Sequence, residues 1–287
     1  MGPREPVRLM SAINVSPESF YKGSFVKGHR NIAAQVRTAI EQGADLIDVG
    51  GMSTSPYLAG EVSEEVEGER IREALRSIFE AGKGTTVSVD TMRSSVAEIA
   101  LRDGASVVND VSGLKHDPAM AKVIRDRGAS LLAMAHSSNN SAARPIPRIL
   151  AALKETIAIA DRRGIERRSI VLDPGIGFFR EKGLGPAYSP QRAMPWYAWD
   201  IEVLANLEKL ETLGRPLCVG LSRKSFMGEV LGLDKPEDRL PASLAATAIA
   251  VVNGACIIRT HDVKETLHAV RIAEALKRRS HGRTSTS

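Results

Sequence analysis

The residues of this chain that can do chemistry stand at the ends of short aliphatic runs. In order they are Asn14, Asp48, Asp90, Asn109, Met134 and Asp173, then Gly220 leading through "LSRKS" to Lys224, then Arg259 and His261. Carboxylates and amides fill the first part of this series, and cations the last. A carboxylate beside an amide suits a flat heterocycle that presents an amino group, ring N–H groups and a carbonyl. Lys224, Arg259 and His261 suit an anion such as a phosphate. Each residue also has an ordinary structural role open to it. Asp90 in "VDTMRSS" reads equally as the N-cap of a following helix, and "LDPG" (172–175) as plain turn chemistry. Asn109 with Asp110 could simply turn the chain, and His261 beside Asp262 could be a cap. What favours a site is their joint occurrence at nearly every run's end.

The elements that must position these residues repeat. "QGADLIDVGG", "DGASVVNDVSG", "RGASLLAMAH" and "NGACIIRTHD" each pass from Gly-Ala through an aliphatic run to polar residues. Gly43, Gly104, Gly128 and Gly254 each follow apolar residues at helical spacing, as C-terminal helix caps do. The runs suit strands buried on both faces of a parallel sheet. "VRLMSAIN", "TVSVD", "SIVLD" and "PLCVG" fit the same role. Strands are therefore expected near 7–14, 46–50, 86–90, 106–109, 130–134, 169–173, 216–220 and 256–260, with helical patterns between them. Strand–helix alternation on this scale predicts an α/β fold, a single-domain (β/α)8 barrel over 1–278 with a disordered basic and polar tail at 279–287. An open doubly wound sheet is the alternative, but it usually carries a Gly-rich turn after an early strand. No G-x-G-x-x-G is present, and "AGKGTT" (81–86) precedes a strand, so it reads as a helix-to-strand turn. In a barrel the C-terminal strand ends face the active site, which gathers the series above into one ring.

Composition narrows the classes. The 287 residues are 43% apolar and 25% charged, the balance of a globular protein with a sizeable core. The N-terminus lacks a signal-peptide core, no run is long enough to span a membrane, and the two cysteines, Cys218 and Cys256, read as reduced residues of a cytoplasmic protein. A net charge of +5 is compatible with nucleic acid, but 4% aromatic residues is too few for a base-stacking platform, so no nucleic-acid partner is expected. Zinc spacing is missing, "GLSRK" lacks the second Gly of a nucleophile elbow, and the acidic "SEEVEGERIREAL" reads as a solvated helix face.

Several motifs together resemble a known family. "INVSPESF" (13–20) is similar to the I/L-N-V-T-P-D-S-F motif of dihydropteroate synthases, and "GADLIDVGGMSTSP" to their G-A-D-I-I-D-V-G-G-E-S-T-R-P. "VSVDT", "VVNDVSG", "LDPGIGF", "VGLSRKSFMG" and "GACIIRTHDVKET" match further family motifs in the family's order, over roughly residues 8–275. The resemblance implies a (β/α)8 barrel, usually dimeric. Such an enzyme joins 4-aminobenzoate to (7,8-dihydropterin-6-yl)methyl diphosphate with release of diphosphate, in folate biosynthesis. Carried over by residue, it implies that Asp90, Asn109 and Asp173 hydrogen-bond the pterin, with Met134, Gly220 and Lys224 lining that pocket. It implies Asn14 as the ligand of Mg2+ and diphosphate, with Arg259 and His261 on the leaving group. Thr54, Ser55, Pro56, Phe178, Ser222 and Ser225 would border the arylamine. Asp90, Asp173, Lys224 and Arg259 are the expected catalytic residues.

The chain departs from the family pattern at the amine side. Met52 stands for a usual Glu, Ser55 for a usual Arg, "AHSSNN" follows Met134, and "GFF" replaces G-F-G. Residues 180–200 form a longer segment that carries both tryptophans. These changes admit a larger amine, the ribosylated, phosphorylated aminobenzene of tetrahydromethanopterin-type cofactors. Two further readings are a pterin-dependent methyltransferase and a non-catalytic pterin-binding protein.

Overall fold

In the computed structural model, residues 5–16, 26, 28–52, 62–136, 144–178 and 194–282 are described, with side chains through Arg278. Eight parallel strands close into a barrel in sequence order, each hydrogen-bonded to its neighbours and β8 to β1. They are β1 Arg8–Asn14, β2 Leu46–Gly50, β3 Thr86–Asp90, β4 Val107–Asp110, β5 Ser130–Met134, β6 Ile170–Asp173, β7 Leu217–Gly220 and β8 Ala255–Thr260. Every expected strand is present within one residue at either end. The described helices are α1 His29–Glu41, α2 Glu64–Ala81, α3 Ser94–Arg102, α4 Met120–Asp126, α5 Pro145–Arg162, α6 Trp196–Ala205, α7 Ser225–Leu231, α8 Leu240–Val252 and α9 Val263–Gly282. The last runs into the stretch expected as a tail, and 283–287 lie outside the described residues.

Two apolar clusters explain why the strands are aliphatic throughout. Alternate strand residues such as Leu9, Ile13, Ile47, Val49, Val87 and Val89 point outward and pack under the helices. The opposite set, Met10, Leu46, Leu132, Cys218 and Ile257, fills the barrel interior as an apolar layer. Burial of each such side chain contributes about 1.5–3 kcal/mol. On β2, β4 and β8 the next inward position toward the C-terminal mouth is polar: Asp48, Asn109 and Arg259.

The expected caps form. Gly43, Gly104, Gly128 and Gly254 have φ of 101°, 111°, 62° and 103°, the left-handed conformation that ends a helix without a Cβ penalty. The acidic helix is only partly a solvated face. Ser63 caps α2 by accepting from the Val66 N–H at 3.4 Å, and Glu64 and Glu65 are exposed. Glu67, however, is fully buried, where Thr91 Oγ1 donates to it at 2.7 Å and Arg93 Nη1 at 2.8 Å. Facing the turn after β3 outweighs its charge, because two donors satisfy it there.

Both cysteines are free. Among the described residues no helix is long and apolar enough to cross a membrane.

Candidate active site

The C-terminal strand ends converge on a polar pocket whose floor is the apolar interior layer. Asp48 lies at its centre with no solvent exposure. Its Oδ2 accepts from Arg259 Nε at 2.6 Å, and its carboxylate accepts from Asn109 Nδ2 at 3.2 and 3.4 Å. Asp90, at the end of β3, is 7% exposed. Its Oδ2 receives a long 3.4 Å contact from Arg259 Nη2, and its buried Oδ1 meets no partner among the described residues. A buried carboxylate oxygen left without a donor marks a place where a ligand N–H belongs. Asp90 is not a helix cap: α3 begins at Ser94, whose N–H is bonded by Asp117 at 2.7 Å.

Burial is the main reason that Asp90's pKa is pushed up to about 8, with the Asp48 charge adding to it and Arg259 opposing. Burial likewise raises Asp173, which is partly offset by the Gly175 N–H bond and by Lys224. His261 moves the other way, to about 3, through burial and the adjacent Arg259. The sequence grouped His261 with the cations; in the folded site it is a neutral hydrogen-bonding ring. Its Nδ1 lies 3.0 Å from Ser222 Oγ and its Nε2 3.5 Å from Asn14 Nδ2.

These shifts fix a pH dependence. Asp90's folded pKa lies above its ordinary 3.8, so the folded state keeps a proton that the unfolded chain releases, and stability falls as pH rises toward 8. His261 has the reverse effect, but only below its ordinary 6.5. From pH 6.5 to 8 the Asp90 effect is therefore unopposed by His261 and costs on the order of 1–2 kcal/mol. The melting temperature should drop over that interval by scanning calorimetry, and the drop should shrink in Asp90→Asn.

The remaining expected residues sit around this core. Met134 ends β5, 1% exposed, and packs against Gly175. Asp173 ends β6, and its Oδ1 accepts from the Gly175 N–H at 2.7 Å, so the expected turn chemistry of "DPG" is present as well. Gly220 ends β7, where an added Cβ would meet Arg259 Cβ at 3.9 Å. Lys224 Nζ stands 4.8 Å from the centre of the Phe178 ring, a cation–π contact. Ser222, expected beside the amine, has its hydroxyl near His261 and Asp262. Ser225 opens α7 and is half-buried. Thr54, Ser55, Pro56, Phe179, Arg180 and the "SSNN" stretch lie outside the described residues, while Met52 is half-buried.

Two supports were not legible as such. Arg223 has a φ of 53°, rare for a residue with a side chain. It is held there by Asp262, with Nε–Oδ2 at 3.0 Å and Nη2–Oδ1 at 2.7 Å, and by Ser243 Oγ accepting from its N–H at 2.8 Å. This kink sets Ser222 and Lys224 on either side of a buried anchor. The second is Asp200 on α6, fully buried, which accepts from the Gly177 N–H at 2.9 Å. Residues 196–200, the end of the segment longer than its family counterpart, are helical and support Gly177 through Asp200.

Gly177 has a φ of 90°, and a Cβ there would lie 2.5 Å from Lys224 Cδ. Gly177→Ala should cost about 1–2 kcal/mol of stability through the left-handed backbone. It should also push Lys224 off Phe178, lowering kcat/KM about tenfold or more. The double variant with Lys224→Ala should be no less active than Lys224→Ala alone.

Comparison with known proteins matches this arrangement. The family model described as pterin binding enzyme covers residues 10–261. The dihydropteroate synthase of Bacillus subtilis is 33% identical over 273 residues, spanning 95% of this chain and 90% of the relative. That of Clostridium beijerinckii is 35% identical over 276 residues, spanning 96% of each. Among solved structures, the Xanthomonas albilineans dihydropteroate synthase with 4-aminobenzoic acid superposes with a TM-score of 0.82 at 30% identity, covering 96% of this chain and 95% of that one. A barrel with these strand-end residues in this order, matched over nearly its whole length, belongs to the dihydropteroate synthase family of pterin-binding enzymes.

Proposed function

We propose that the protein condenses (7,8-dihydropterin-6-yl)methyl diphosphate with 4-aminobenzoate, releasing diphosphate, in folate biosynthesis. The observation that carries this reading is the Oδ1 of the buried Asp90, without a partner among the described residues, at a barrel mouth that also holds Asn109, Asp173, Lys224 and Arg259. Membership of the family, and relatives named for this reaction, support it.

In this reading Asp90, Asn109 and Asp173 bind the pterin edge, while Met134, Gly220 and Lys224 line its faces. The bond from the pterin methylene to the diphosphate oxygen breaks, and its electron pair leaves with the diphosphate. The electron-rich dihydropterin delocalises the positive charge left behind, which the Asp90 and Asp173 carboxylates stabilise in a site shielded from water. Arg259 and Lys224 hold the departing anion by charge, and His261 by a neutral hydrogen bond. The amine lone pair then forms the C–N bond, and its proton passes to solvent. A neutral arylamine is nucleophilic enough without a dedicated base. Phe178 and Ser225 face the amine side.

Mg2+ fits the donor set in a limited way. Among the described residues no cluster of three or more His, Cys, Asp or Glu could cage it. The Asn14 amide oxygen is one hard donor at the mouth, and a cation held there would take its other ligands from diphosphate and water, as Mg2+ commonly does. Bound in that way it would neutralise charge on the leaving group.

The chain acts as a homodimer in the cytoplasm in this reading. Ile249 and Val252 on α8 are about half exposed, and Ile272 and Leu276 on α9 are 65% and 61% exposed. These two helices pack side by side, which makes one apolar face. Light scattering should give twice 30.9 kDa, and Ile272→Glu with Leu276→Glu should halve it.

The decisive assay follows diphosphate release from the pterin diphosphate with 4-aminobenzoate, and in parallel with the ribosylated, phosphorylated aminobenzene that Ser55 and the long 180–200 segment admit. Turnover confined to the second amine would transfer the function to that pathway. Pterin binding with no release from either amine would overturn catalysis.

A further inference from the structure

Asp48 has no role in the chemistry above, yet it bonds two other polar side chains of the pocket. Its position between strands explains this. Across the barrel wall it pairs with Ala12 on β1 and with Ser88 on β3. Paired residues of neighbouring parallel strands share a face, so a methyl and a hydroxymethyl flank the carboxylate inside the barrel. Over Ala12 the long side chain of Arg259 reaches from β8, and over Ser88 the amide of Asn109 reaches from β4. Larger inward residues at 12 or 88 would block either approach.

The geometry of the two bonds matters more than their number. Asp48 takes the Nε of Arg259, at the back of the guanidinium, while Nη1 makes no hydrogen bond to the described residues and Nη2 only the long contact to Asp90. The fork that binds oxyanions in a bidentate manner is the Nη edge together with Nε. With Nε taken, the Nη edge is the part presented to a ligand. On its other side Asp48 fixes the plane of Asn109 by engaging Nδ2 with both oxygens.

We propose that Asp48 is the positioning residue of the site: one carboxylate aims Arg259 at the diphosphate and, at the same time, orients Asn109 toward the pterin. Asp48 touches neither ligand and acts through these two side chains. The inference rests on the pterin diphosphate reading.

The test measures binding of two probes separately by titration calorimetry, a 6-hydroxymethyl dihydropterin without phosphates and inorganic diphosphate. In Asp48→Asn one oxygen becomes an NH2 group facing donors on both sides. Each charge-assisted bond it weakens is worth about tenfold in affinity, so both probes should bind about tenfold more weakly or worse. Asn109→Ala should weaken the pterin alone, a split that general loss of stability does not produce. Unchanged affinities in Asp48→Asn, or an effect on a single probe, would overturn the role of Asp48. Wild-type protein that binds neither probe would overturn the underlying reading itself. Should Asp48→Asn fail to fold, Ala12→Val keeps the carboxylate and obstructs only Arg259. It should weaken diphosphate and spare the pterin, and equal diphosphate affinity in that variant overturns the proposal.

Discussion

Asp90→Asn should lower kcat by two to three orders of magnitude, about the loss seen on removing one preorganised electrostatic group from a reacting centre, while making the apo protein more stable above pH 7. The two effects have one origin. Asp90 is buried, Asp48 stands nearby, and its pKa is raised to about 8, so ionising it works against folding. Once ionised, the same carboxylate stabilises a pterin that turns cationic as diphosphate leaves. An amide keeps the shape and removes the charge. KM for the pterin diphosphate should change less than kcat, because the interaction strengthens mainly in the transition state. A variant with ordinary turnover, measured as diphosphate release, would refute this role. So would one that is less stable at pH 8 by calorimetry.

Arg259→Ala should be the most destabilising single substitution in the pocket, by about 3–5 kcal/mol. It leaves Asp48, fully buried, and Asp90, 7% exposed, without their shared counter-charge. Diphosphate release should fall by a further order or more beyond the Asp90→Asn loss, since charge on the leaving group is lost as well. Arg259→Lys should restore part of the stability and little of the activity. An ammonium can neutralise Asp48 but cannot hold it with Nε while offering a second edge. Adding Asp90→Asn to Arg259→Ala should recover stability non-additively, because it removes one of the two stranded charges. Urea midpoints of the single and double variants check this, and additive losses would sink it.

Much of the fold could be read because barrel strands are buried on both faces. Runs such as "ADLIDVG" and "ASVVND" carry no polar alternation, and the Gly before each run carries the positive φ that ends a helix. The strand-end residues were legible for the same reason: a polar residue after an aliphatic run must face something. What lay beyond the sequence was which side chains meet. Asp48 appeared in the ring with no function, because its connections depend on Ala12 and Ser88 being small on adjacent strands. Glu67 looked like one acid of a solvated face until the turn at Thr91 and Arg93 closed over it. His261 looked cationic, and burial beside Arg259 makes it neutral. The left-handed Arg223 has no local signature, since Asp262, Ser243 and the carbonyls of Pro236 and Glu237 hold it from distant parts of the chain.

The apolar layer beneath the pocket gives the protein a built-in clock. Cys218 is one of its members, with no solvent exposure, and burial raises its thiol pKa well above the ordinary value. An alkylating reagent can reach that sulfur only when the ring of strands parts. In a Cys256→Ser background a single thiol would then count openings of the barrel, at a rate set by how rarely they occur. A ligand bound above the layer holds the ring shut. Labelling should slow about a hundredfold at a ligand concentration about a hundred times Kd, which turns one buried sulfur into a gauge of occupancy for any pterin or amine, reactive or not.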